Sequence, residues 1–140
     1  MSDELAIDAA LYSKLTGGTA LVAALASGTP IWNSEVPEGS SYPVVVFGLS
    51  SGMDDNACPW RNKNMMYFAK AISTTSLAQS GSIDALVDAL LNGGTISPTG
   101  WACYWMRRAS TIRYVEYDPA SGTRYYHTGG IYRVRVVEST

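Results

Sequence analysis

The sequence predicts an α+β fold: a mostly antiparallel β-sheet packed against two to three helices, in a single domain over residues 1–140. Three observations predict it. Two short helical patterns open the chain, and a cleaner one lies in its middle. Segments of period-two alternation fill most of the remainder. The closing segments flank Asp118-Pro119-Ala120-Ser121-Gly122, a turn short enough for an antiparallel hairpin.

Residues 4–15 carry Ile7, Ala10, Leu11, Lys14 and Leu15 at helical spacing, an apolar stripe ending in one long-stemmed base. Asp3 is the expected N-cap, and Gly17-Gly18 stops the helix. Thr19 is expected to cap a second helix over residues 20–26, closed by Gly28 and Pro30. Ile31-Trp32-Asn33 reads as a short edge strand, and residues 36–41 as loop. Pro43 opens a strand, Val44 to Leu49, that is apolar on both faces and so expected to be covered on both.

Residues 50–63 read as a long polar loop, functional or mobile by its length. Residues 64–74 read as a strand, with Met66, Phe68 and Ile72 on one face and Met65, Tyr67, Ala69 and Ala71 on the other. Residues 76–91 form the clearest helix: Ile83, Leu86, Val87, Leu90 and Leu91 make its stripe, and Asp84 and Asp88 are expected to point away. Gly81 can delay its start to Ser82. Two strands follow over 101–108 and 110–117, and Trp101 and Trp105 are read as core. Arg124-Tyr125-Tyr126 pairs back across the turn. The last strand, 131–137, puts Tyr132, Val134 and Val136 inside and Arg133 and Arg135 outside.

Composition sets bounds. The chain weighs 15.0 kDa, with 46% apolar and 16% charged residues, which is neither disordered nor coiled coil. A net charge of −2 argues against a dedicated DNA or membrane-surface binder. No apolar run is long enough to span a bilayer. The acidic start Met1-Ser2-Asp3-Glu4 predicts no signal peptide, hence a cytosolic chain in which Cys58 and Cys103 are free thiols. A single histidine, His127, rules out a metal site built on several His ligands, and no cofactor is expected. Charge is uneven: residues 1–58 carry seven acids and one base, and residues 59–140 nine bases and five acids. The expectation is either a mixed surface or an acidic side and a basic side able to dock head-to-tail.

Gly48-Leu49-Ser50-Ser51-Gly52 matches the G-x-S-x-G of hydrolases, with His127 downstream. No helix is expected after it, so it reads as a strand running into a loop. Asp54-Asp55 reads as solvated carboxylates, and Tyr125-Tyr126-His127 as a contact patch on a hairpin arm with His127 exposed. Trp60 stands in a polar stretch beside Arg61, a poor place for a core residue and a typical one for an interface anchor. Arg113, Arg133 and Arg135 are expected to line the sheet's outer face, either as a solvated face or as a contact surface. The candidate interface set is therefore Trp60, Arg61, Asp54, Asp55, Arg113, Arg133, Arg135 and Tyr125, with no catalytic, metal or cofactor set.

The helix pair 5–26, Pro30-Ile31-Trp32, Ser41-Tyr42-Pro43-Val44-Val45-Val46-Phe47, the strand and helix that follow, and the ending Tyr117-Asp118-Pro119-Ala120-Ser121-Gly122-Thr123-Arg124-Tyr125-Tyr126-His127 with Tyr132-Arg133-Val134-Arg135-Val136 come in a distinctive order. In that order the chain resembles the tail terminator (tail completion) proteins of long-tailed phages and gene transfer particles. The resemblance spans nearly the whole chain. The Cys58-Pro59-Trp60 stretch and the 101–105 strand fall outside it. It implies a non-enzymatic virion protein, made in the host cytoplasm and placed at the head–tail junction. It implies a homo-oligomeric ring, commonly a hexamer, on the end of the tail tube. The implied partners are the tail tube protein and a head–tail connector, with DNA passing through without sequence-specific binding and no membrane. A stopper or other neck component is the alternative. A small serine hydrolase using Ser50 and His127 is the remote one.

Overall fold

The computed structural model describes residues 3–139, without the side chain of Asp3; the expected Asp3 cap lies outside the described residues. Its order is α1 (Asp3–Thr16), α2 (Thr19–Ala24), β1 (Ile31–Asn33), β2 (Val44–Asp54), β3 (Asn62–Ser73), α3 (Leu77–Leu91), β4 (Trp101–Asp118) and β5 (Thr123–Glu138). The strands make one sheet in the order β1-β2-β3-β5-β4. β1 runs parallel to β2, and every other neighbour is antiparallel. The predicted α+β class is therefore the observed one.

Helices cover one face of the sheet. β3 turns Met65, Tyr67, Ala69 and Ala71 toward them, and β5 turns Tyr132, Val134 and Val136. Ile7, Leu11 and Leu15 of α1 and Ile83, Val87 and Leu91 of α3 complete this core. The opposite face carries a smaller core at one end. There Val44, Val46 and Ile72 pack with Trp32, Val36, Tyr42, Phe68 and Tyr125.

Several expectations change. Thr19 does not cap α2: Gly18 holds that position, and the helix ends at Ala24. Of residues 50–63 only 55–61 form a connecting loop; the rest belong to β2 and β3. β2 continues to Asp54 and pairs Ser51 with Met66, Gly52 with Met65 and Asp54 with Lys63. Backbone pairing to an already formed apolar strand outweighs the weak strand preference of Ser-Ser-Gly-Met-Asp. Only the half of β2 up to Gly48 is covered on both faces; residues 49–54 are exposed. Residues Trp101–Asp118 form one 18-residue strand, and β5 runs unbroken through Thr128-Gly129-Gly130.

Helix α3 starts at Leu77, where the Ser76 hydroxyl accepts from Gln79 N at 3.1 Å, so Gly81 lies inside it. Asp84 and Asp88 do not point away. The buried stripe is Ser80, Ile83, Asp84, Val87 and Leu91, rotated from the expected one because Arg108 and Tyr132 on the sheet receive the two carboxylates. Trp105 is not core. β4 holds an irregularity between Cys103 and Trp105 that takes in one extra residue, which switches the strand's facing. Trp101 stays buried, whereas Trp105 is 47% exposed.

Candidate functional site

The expected interface residues fall at four places. Asp54, Asp55, Trp60 and Arg61 share the tip of the β2–β3 hairpin, where residues 51–61 are all exposed. The tip is a tight turn: Ala57 N donates to Trp60 O at 3.0 Å, and Trp60 stands out half-exposed. Glu138 N donates to Arg61 O at 2.9 Å, tying the tip to the end of β5. Asp54 is engaged within the chain. Lys63 Nζ lies 2.9 Å from Asp54 and 3.3 Å from Glu4, so this buried lysine bolts α1 to the hairpin. That hydrogen bond holds the Asp54 carboxyl below its ordinary range. Arg61 sits over the Trp101 ring at 5.5 Å.

Arg133 and Arg135 lie on the face away from the helices, as expected, but half-buried. Arg133 pairs across to Arg107 and Arg135 to Trp105, whose ring Arg135 covers at 5.8 Å. Arg113 does not join them. It pairs with Thr128, whose hydroxyl is 2.9 Å from Ser80 of α3, so Arg113 belongs to the helix-facing side of the exposed edge strand. The basic group is thus Arg107, Arg133 and Arg135. Sequence reasoning missed Arg107, because the bulges in β4 hide which of its residues share a face.

Tyr125 lies at the other end of β5, ten residues or about 33 Å from Arg135 along the strand. Its ring meets Tyr42 at 5.2 Å. Beside them His127 is buried, not exposed as expected. Its ring stacks on Tyr114 at 4.2 Å, and Nε2 is 3.0 Å from Glu116 Oε1. Burial pushes its pKa below the ordinary value; the Lys70 charge adds to this, and Glu116 opposes it. Tyr42, Tyr125 and His127 line a cavity of about 470 Å³ with Glu116, Asp118 and Pro119.

The hydrolase constellation does not assemble. Ser50 lies within β2, at the irregularity between Leu49 and Ser51, and not on a strand-to-helix turn. Its neighbour Leu49 faces Tyr67, five residues along β3 from the Ile72 that pairs with His127, or about 17 Å. Among the described residues no group of three or more His, Cys, Asp or Glu could hold a metal, and Cys58 and Cys103 are free. Among the described residues no helix is long and apolar enough to cross a membrane.

The described residues place five strands in one sheet, with helices on one face and an open basic half on the other. The sequence matches no protein-family model and no curated protein. The fold is similar to a chain in the solved virion of a native gene transfer agent (GTA) particle, with TM-score 0.74 and 18% identity over 96% of this chain and 98% of that one.

Proposed function

We propose that this chain is a structural protein of a phage-like virion, and within that class a tail terminator. It closes the end of the tail tube as a ring, commonly of six copies, and offers the surface that joins the head. Its partners in this reading are its own copies, the tail tube protein and a head–tail connector, with DNA passing through the ring. The observation that carries the reading is the fold likeness to a gene transfer agent virion chain, which leaves almost none of either chain unmatched. The order of sequence features that resembles tail terminators supports the finer role. Ser50 and His127 standing apart supports a non-enzymatic one.

Negative-stain images of the purified protein, with and without tail tubes, test this. Rings capping tube ends are expected. A protein that stays monomeric at high concentration and leaves tube ends bare overturns the ring. Binding to portal-side proteins in preference to tubes selects the stopper role instead.

A further inference from the structure

The cavity beside Tyr125 has an unusual balance of hydrogen-bonding groups. His127 is only 4% exposed and forms part of its wall. A carboxylate only accepts, so the neutral imidazole donates from Nε2 to Glu116 at 3.0 Å. That leaves Nδ1 as a lone pair, and it is buried without a hydrogen-bond partner. Asp118, on the same wall, takes Ala120 N at 3.0 Å and the Ser121 hydroxyl at 2.8 Å, which hold it ionised. Among the described residues no lysine or arginine lines the cavity. Lys70, whose charge reaches His127, donates to the Tyr114 hydroxyl at 2.7 Å and is not in the wall.

The cavity therefore presents two carboxylates with no cation among them. Its remaining walls are aromatic or apolar. Tyr42 and Tyr125 are tilted by 60°, so they offer two non-parallel π surfaces. An aromatic face attracts a cation, and a carboxylate pairs with a guanidinium through two parallel bonds. Arginine is planar, stacks on tyrosine and carries five donors, so it matches the site better than the compact ammonium of lysine.

We propose that this cavity is a receptor for an arginine side chain presented by a partner protein of the assembly. The guanidinium lies against Tyr42 and Tyr125 and bonds the Glu116 carboxylate. That the donor is an assembly partner rests on the virion reading; the chemistry of the site does not.

The test uses the purified full chain and N-acetyl-arginine amide, followed by NMR shifts of the His127, Tyr42 and Tyr125 side chains. The comparison probes are N-acetyl-lysine amide and N-acetyl-citrulline amide, the latter a near-isosteric neutral. Saturable shifts with arginine, about tenfold weaker binding of citrulline, and a further loss of about tenfold in Glu116→Gln are expected. Equal binding of arginine and citrulline overturns the proposal, as does tighter binding of lysine or the absence of saturable shifts. Unchanged arginine binding in a folded Glu116→Gln also overturns it. Thermal melts of Glu116→Gln and of Tyr125→Phe, which keeps the aromatic wall, show whether the fold is intact. Because the probe is a small arginine derivative, the result stands apart from whether rings form on tail tubes.

Discussion

The carboxylates of α3 give the sharpest stability prediction. Arg108 Nη2 lies 3.2 and 3.0 Å from the two oxygens of Asp84 and also donates to Gly129 O. Its Nη1 is 3.3 Å from Asp88, which accepts from the Tyr132 hydroxyl at 2.9 Å. The side chains of Arg108 and Asp84 are only 18% and 12% exposed. Removing one partner of a fully buried pair costs about 3–5 kcal/mol. Here Arg108 retains Asp88 and some solvent, so Asp84→Ala should cost about 2–3 kcal/mol. Arg108→Met keeps the packed stem but strands two carboxylates one turn apart, and should cost as much. The double variant should be little worse than either single, because each lost partner relieves the other. A double-mutant cycle by denaturant unfolding at pH 7 reads this as a coupling of about 1.5–2.5 kcal/mol. Additive losses, with a coupling below about 0.5 kcal/mol, would show that water already screens the pair and that the reasoning fails.

Val134 is fully buried, so Val134→Ala should cost about 1–3 kcal/mol in folding, while Arg133→Glu with Arg135→Glu should cost much less and instead impair head–tail joining in complementation. Trp60→Ala should leave the subunit's melting temperature unchanged and weaken assembly by about 2 kcal/mol, measured by sedimentation; a sharp drop in the melt refutes its exposed role. Gly129→Ala should be severely destabilising in thermal melts, because its Cβ would come within 2.4 Å of the β3 backbone at Ala69 and Lys70. The His127 pKa is depressed by folding, so the unfolded chain takes up a proton that the native chain refuses. Stability is then full above about pH 6.5 and falls as pH drops toward the native value, by at most about 1.4 kcal/mol per pH unit, a slope that His127→Gln should flatten.

What was legible in the sequence was what a single element decides. The alternation of Tyr132, Val134 and Val136 fixes the inner face of β5 without knowledge of its neighbours. Trp60 and Arg61 meet Asp54 and Asp55 at one tip because they are close along the chain. What was hidden depends on a partner element. An extra residue in β4 flips the side chains after it until a second irregularity, between Arg108 and Ser110, and nothing in Cys103-Tyr104-Trp105 announces it. Asp84 looks solvent-facing on a helical wheel until Arg108 is placed beneath it. His127 looks exposed on a hairpin arm until Val36 and Tyr42, from a loop nearly ninety residues earlier, fold over the same face (about one turn of chain beyond β1).

The charge division read from the sequence survives folding in altered form. Part of it is consumed inside the subunit: Lys63 neutralises Glu4 and Asp54, and Arg108 neutralises Asp84 and Asp88. Part of what remains outward is ordered along the sheet. Arg107, Arg133 and Arg135 occupy one end of the open face and pair with no carboxylate in the described chain. Glu116 and Asp118 occupy the other end. Arg133 is six residues from His127 on the same strand, about 20 Å, so one subunit cannot bring its own arginines to its own acids. Any neutralisation between these two ends has to come from another molecule. Contacts of that kind are screened as the Debye length shrinks from about 10 Å at 0.1 M salt to about 3 Å at 1 M. Assembly driven by them should therefore weaken steeply with salt, whereas assembly through Trp60 should not, and sedimentation across salt separates the two contributions.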